Sequence, residues 1–164
     1  MVSELPDFYK SGKKITNNSD TFVLGIIGNI SDVKGYVLLN EIAKKISTKK
    51  NMEIVVFGKA HISMIKEQYL YKNIDDLNKL LEKHRPNVLL ELSIWPESFS
   101  FTLTIAMITG LPIIYQNKFI NNTIQRRLSL YKNAHKFDNI YNINLKWLVS
   151  KGQNFFNLID PSIH

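Results

Sequence analysis

Four short segments, "TFVLGIIG" (21–28), "EIVVFGK" (53–59), "NVLLELS" (87–93) and "LPIIYQ" (111–116), are apolar in succession rather than at every second residue. A strand with one face in water alternates apolar and polar side chains; a strand covered on both faces has no such constraint and reads as a continuous apolar run. Helical patterns separate these segments: "KGYVLLNEIAKKIS" (34–47), "IDDLNKLLEKH" (74–84) and "SFSFTLTIAMITG" (98–110). Strands joined through helices of ten or more residues form right-handed crossovers, so the fold class is α/β, one parallel sheet with helices on both faces.

The helices carry the matching period. In 34–47, Val37, Leu38, Ile42 and Ile46 make one stripe with lysines opposite, and in 74–84 Leu77, Leu80 and Leu81 lie behind Asp75 and Asp76, whose charges suit a helix start. Gly110 before Leu111 and Pro112 marks a helix stop and a strand start. A mixed stretch, "HISMIKEQYLYKN" (61–73), has no single period. "NIYNIN" (139–144) reads as a last strand and 145–159 as a closing helix. Residues 1–20 mix Pro, Gly, Ser, Asn and charges, as a linker or tail does, which leaves 21–164 as one domain.

The absence of cysteine excludes a disulfide framework and any thiolate nucleophile or thiolate metal site. No pair of His with carboxylates has metal-ligand spacing, so no metal is expected. There is no 18-residue apolar run and no secretory leader, which makes a soluble, cytoplasmic protein the expectation. The net charge of +7 invites a polyanion partner. The lysines, however, are spread along the chain without the aromatic interleaving of a base-stacking surface, so solvated helix faces account for them and no nucleic acid is expected.

In an open parallel sheet, ligands sit beyond the carboxyl ends of the strands. Three turns there carry candidate residues. "GNISDVKG" (28–35) holds Gly28, Asn29, Lys34 and Gly35, with Asp32 as a candidate cap. It is either an anion cradle of backbone N–H groups, helix dipole and lysine, or an ordinary turn with a surface lysine. In "FGKAH" (57–61), Gly58 ends a strand and lets a ligand or backbone approach, while His61 suits an exposed or structural role better than a catalytic one. His84, at a helix end before Pro86, is placed where a charged ring suits the dipole. The third turn, "SIWPESFSFT" (93–102), sets Glu97 at a strand mouth before a helix start with unpaired N–H donors. Its carboxylate either complements the dipole or meets a ligand's hydroxyls.

"SIWPESFSFTLTIAMITGLPII" (93–114) resembles the donor-site segment of the retaining GT-B glycosyltransferases that build bacterial capsule, lipopolysaccharide and glycolipids. Their pattern runs Pro-Ser, Glu-x-Phe-Gly, a helix with Glu-Ala, then Gly-x-Pro and a hydrophobic residue; a variant with Trp-Pro-Glu-Thr/Ser-Phe-Ser-Tyr-Thr-Leu is nearer still. The likeness extends in order through "GNISDVKG" and "EIVVFGK", covering about Thr21 to Gln116. It implies the C-terminal Rossmann-like half of a GT-B fold, binding a nucleotide-diphosphate sugar as donor substrate, with no further cofactor and no metal. By position, Lys34 would contact the diphosphate and Glu97 the donor sugar, these two being the catalytic candidates. Gly28, Asn29, Gly35, Gly58, Ser98, Phe99, Ser100, Phe101 and Thr102 would line the donor site, the 98–102 amides holding phosphate and sugar.

Two departures accompany the resemblance. The family's second glutamate, eight positions after the first, is Ile105 here, which cannot accept the ribose hydrogen bonds, and the Arg of the family's Gly-Arg pair is Asn29. At one charged hydrogen bond each, these losses would cost about 1.5–3 kcal/mol apiece. They favour the alternative of a catalytically silent scaffold or regulatory module. The acceptor-binding half that the resemblance implies is missing from these 164 residues, so a domain in cis or a partner subunit would supply it. Any peripheral membrane association would come through the full-length enzyme, and alone this chain is expected to turn over little or nothing.

Overall fold

The computed structural model describes residues 20–30, 35–92, 101–116, 123–139 and 143–152. In chain order the elements are β1 (Phe22–Ile30), α1 (Tyr36–Ile46), β2 (Met52–Ala60), β3 (Glu67–Tyr69), α2 (Ile74–His84), β4 (Val88–Glu91), α3 (Phe101–Ile108), β5 (Ile113–Gln116), α4 (Thr123–Ser129), β6 (Ala134–Phe137) and α5 (Leu145–Lys151). The strands form one six-stranded sheet in the order β3-β2-β1-β4-β5-β6, every described pairing parallel. This is the α/β architecture expected from the apolar runs.

Both faces of the sheet are covered. Leu24, Ile26 and Ile30 of β1 pack with Leu39 and Ile42 of α1 and with Leu148 of α5, whereas Val23 points the other way, into a core with Leu77 and Leu81 of α2, Leu103 of α3 and Leu128 of α4. Alternate residues of one strand thus feed two cores, which is the physical reason the runs do not alternate in polarity. At the start of β4, Asn87 ties the sheet with its side chain: its Oδ1 accepts from the Val23 N–H at 2.7 Å, and its own N–H donates to the Val23 carbonyl at 2.8 Å.

The α2 boundaries are fixed locally. Asn73 Oδ1 accepts from the Asp76 N–H at 2.9 Å, satisfying a donor that the helix start leaves open, and Asp76 Oδ2 accepts from the N–H of Lys72, the residue before the cap, at 3.2 Å. At the other end Arg85 adopts φ 43, outside the helical region that the following Pro86 disfavours. After α3, Gly110 at φ 73 ends the helix as expected.

Several expectations need correction. Val37 is 58% exposed; the buried stripe of α1 is Leu38, Leu39, Ile42, Ala43 and Ile46, because the helix turns its 38/42/46 and 39/43 rows inward together. Among the described residues the last strand is Ala134–Phe137, paired in register with β5, and was not expected; most of the strand expected at 139–144 (140–142) lies outside the described residues. Within the mixed stretch a short edge strand, Glu67–Tyr69, pairs with β2. The closing helix is described as Leu145–Lys151, capped by Gly152 in an extended conformation, where the expectation ran to 159; residues 1–19 and 153–164 lie outside the described residues.

Candidate functional site

The strand order runs β1, β2, β3 in one direction and β4, β5, β6 in the other, so the chain reverses between β1 and β4. At such a point the loops after neighbouring strands turn away to opposite faces and leave a crevice at the carboxyl edge. A cavity of about 160 Å³ occupies this place. Gly28, Asn29 and Ile30 from β1, Glu91 and Leu92 from the end of β4, and Thr102 from the first turn of α3 all line it.

Its floor depends on two glycines. Gly28 and Gly58 are register partners across β1 and β2, both at positive φ (122 and 141), and a Cβ on Gly58 would collide with the Gly28 carbonyl oxygen. Above Gly28 there is room: the nearest atom to a Cβ there is Thr102 Cγ2 at 3.8 Å, so α3 begins over this glycine with space left between them. Gly35 opens α1 at φ 87, and a Cβ on it would lie 2.6 Å from the Leu92 Cβ and overlap the Leu92 carbonyl. Only glycine lets the start of α1 press this closely against the end of β4, closing one side of the crevice.

The structure therefore brings Gly28, Asn29 and Thr102 together at the cavity, with Gly58 beneath and Gly35 beside it. One assignment changes: Asn29 belongs to β1, not to the turn after it, because β1 continues in register with β2 as far as Ile30 opposite Ala60. Lys34, Glu97, Ser98, Phe99 and Ser100, and the side chain of Phe101, lie outside the described residues. Ile105 is 6% exposed and packs in the core with Leu103 and Ala106. His61 is exposed. His84 is not a dipole-favoured cation; its ring stacks on Tyr69 at 4.2 Å, and burial, with Lys83 adding to it, pushes its pKa below the ordinary 6.5 against an opposing pull from Glu67.

Three charged residues near the carboxyl edge escaped the sequence reading. Glu91 lines the cavity, the only ionisable side chain among its described lining residues. Arg127 of α4 reaches across to α3, donating to Thr104 Oγ1 at 2.5 Å. Burial lowers its pKa, and Glu91 is the charge that holds the guanidinium's proton against that effect. Lys59, exposed at the end of β2, is the register partner of Asn29 and puts a cation beside it on the same face of the sheet. The available signal in each strand was a charge inside an otherwise apolar run. Among the described residues no group of three or more His, Asp or Glu could hold a metal ion, and no helix is long and apolar enough to cross a membrane.

No protein-family model matches the chain, and no curated protein matches it in sequence. Solved structures do match in fold. The C-terminal domain of the group 1 glycosyl transferase LpcC from Francisella tularensis aligns over 84% of this chain and 83% of its own, at 18% identity and a TM-score of 0.56. The lipopolysaccharide outer core galactosyltransferase WaaB aligns over 92% of this chain and 43% of its own, at 12% identity and a TM-score of 0.55. HepE from Anabaena, solved with UDP-glucose, aligns over 72% of this chain and 35% of its own, at 16% identity and a TM-score of 0.51. The chain has the Rossmann-like fold of the C-terminal domain of group 1, GT-B glycosyltransferases; it spans most of the isolated LpcC domain and less than half of the longer WaaB and HepE chains.

Proposed function

We propose that this chain is the donor-binding half of a retaining glycosyltransferase and takes a nucleotide-diphosphate sugar in the crevice between β1 and β4. The observation that carries the reading is the cavity at the reversal of strand order, floored by Gly28 and overhung by the start of α3, in a fold shared with a protein, HepE, solved with UDP-glucose. A helix N-terminus favours anionic groups, and a glycine without a side chain lets a diphosphate come against the backbone. In this reading Lys34 and the 98–102 amides take up charge as the diphosphate leaves, the role a metal ion would otherwise serve, and Glu97 meets the sugar hydroxyls. A hexosyl unit passes to a hydroxyl acceptor held by an N-terminal half, in cis or as a partner subunit. Turnover by this half alone is little or none, a cytoplasmic location accompanies the reading, and contact with a membrane surface belongs to the assembled enzyme.

Calorimetric titration with UDP-, GDP- and ADP-sugars tests it: heat saturating with one donor class is expected. One observation favours a second reading, a silent relative that kept the fold without the donor. Ile105 is sealed in the core where the resemblance calls for a ribose-binding glutamate. No heat with any donor at millimolar concentration would establish that alternative.

A further inference from the structure

We infer that the flank of the domain around β6 docks on an anionic lipid surface, an inference independent of what the crevice binds. Charge is not spread evenly over this fold. Residues 123–152, which build α4, β6 and α5, hold six Lys and Arg against one Asp, and so five of the chain's seven net positive charges. β6 is an outer strand of the described sheet, with α4 packed on one face and α5 on the other.

Contacts gather much of that charge at the amino end of β6. Tyr131 donates its hydroxyl to the Leu111 carbonyl at 2.9 Å and Asn133 its Nδ2 to the Gly110 carbonyl at 3.0 Å, which pins the turn after α4 beside the start of β5. Leu130 and Lys132 of that turn are exposed, as are Arg126 one helical turn earlier and Lys136 on β6. From the other face the end of α5 comes to the same place. Lys151 sets its Nζ 5.9 Å from the centre of the Trp147 ring, and its charge reaches His135 of β6, whose pKa burial lowers first and Lys151 second. Arg127 points elsewhere, anchored on Thr104.

Leu130 decides which polyanion fits. At 88% exposure it is the most exposed large apolar side chain among the described residues, and it stands in sequence between Arg126 and Lys132. A nucleic-acid phosphate backbone offers such a residue nothing. The boundary between headgroups and acyl chains takes up an apolar side chain while the cationic stems beside it reach the headgroup phosphates. The nearby aromatic rings are not presented for stacking on bases: the Tyr131 hydroxyl is held, and Trp147 packs against the core with Lys151 over its ring. The crevice opens at the carboxyl edge between β1 and β4, so lipid at the amino end of β6 leaves it clear.

Co-sedimentation of the full chain with lipid vesicles tests this. Binding is expected to vesicles of equal parts phosphatidylcholine and phosphatidylglycerol and not to phosphatidylcholine alone, and is expected to be lost at about 1 M salt, where charges are screened beyond about 3 Å. Lys132→Ala combined with Lys136→Ala is expected to weaken it about 25-fold, at about fivefold per cation near such a surface, and Leu130→Ser about tenfold. Lys72→Ala combined with Lys79→Ala, which removes exposed cations on the β3 side, is expected to leave it unchanged. All five side chains are exposed, and thermal midpoints check that each variant folds. Absence of binding to the phosphatidylglycerol vesicles at low salt overturns the proposal. So does binding that the Lys132 and Lys136 pair weakens no more than the Lys72 and Lys79 pair. Retention of a duplex oligonucleotide, insensitive to Leu130→Ser and without vesicle binding, overturns it in favour of nucleic acid.

Discussion

The carbonyl oxygen of Gly28 occupies the space that a side chain on its register partner Gly58 would need, so β1 and β2 meet at the crevice floor with no Cβ between them. Gly58→Ala must both adopt φ 141 and displace backbone, and backbone does not yield as a side chain does. We expect a loss of about 3 kcal/mol or more, strain and overpacking together. Gly28→Ala meets nothing nearer than Thr102 Cγ2 at 3.8 Å and suffers the φ strain alone, about 1–3 kcal/mol. Urea midpoints at constant m-value measure both; equal losses would contradict the difference in surroundings.

Asn87 is 2% exposed and serves as a side-chain extension of the sheet between β1 and β4. Asn87→Ala leaves the Val23 N–H buried without its acceptor, and we expect a loss of about 1–3 kcal/mol. Hydrogen exchange should show faster opening of the Val23 amide than of the neighbouring Leu24 amide. Unchanged protection at Val23 would mean that another acceptor replaces the side chain.

The interior of the sheet was legible because burial on two faces leaves a continuous apolar signature, and β1, β2, β4 and β5 all carry it. The edge strands lack that constraint. Glu67–Tyr69 of β3 is half-exposed throughout, and in Ala134–Phe137 of β6 only Phe137 is buried, so neither has a hydrophobic pattern to read. The strand signal in this part of the sequence comes instead from the isoleucines of "NIYNIN" (139–144), so Ala134–Phe137 goes unread. At the site, Gly28 and Gly58 were legible because each ends an apolar run. Glu91 was not, because its meaning depends on the strand order that sets β1 beside β4, and that order is a property of the fold rather than of any segment.

Ile105→Glu is the substitution that the resemblance suggests for restoring ribose binding. Ile105 is 6% exposed among Leu103, Ala106 and the β1 and β2 side chains Val23 and Val55, so the introduced carboxylate would be buried there. We expect destabilisation of about 3 kcal/mol or more at pH 7, diminishing towards pH 4 as the group takes up a proton, and no gain in nucleotide affinity. Tighter nucleotide binding with unchanged thermal stability would show that α3 can rotate this position into the crevice.

His84 predicts a pH dependence with a definite sign. Its ring lies between Tyr69, stacked at 4.2 Å, and Phe57, edge-on at 6.2 Å, and its buried Nε2 has no hydrogen-bond partner among the described residues. Burial lowers its pKa below 6.5, Lys83 lowers it further, and Glu67 pulls the other way. The neutral ring is thus the form the fold favours. Its contribution is complete above the unfolded value of about 6.5 and is lost as pH falls through the lower folded value. Glu53 slopes oppositely: burial first, and Glu67 second, raise its pKa above 4.5, so its contribution is present below 4.5 and is lost as pH rises through the higher folded value. Comparing wild type with His84→Phe at pH 7 and pH 5 cancels Glu53 to the extent that it is independent of residue 84, because both proteins carry it. Phenylalanine keeps the ring contacts and removes the titrating nitrogen. We expect the urea midpoint of the wild type to fall, relative to that of His84→Phe, on going from pH 7 to pH 5. Parallel pH profiles for the two proteins would mean that the imidazole is protonated as readily in the fold as in the unfolded chain.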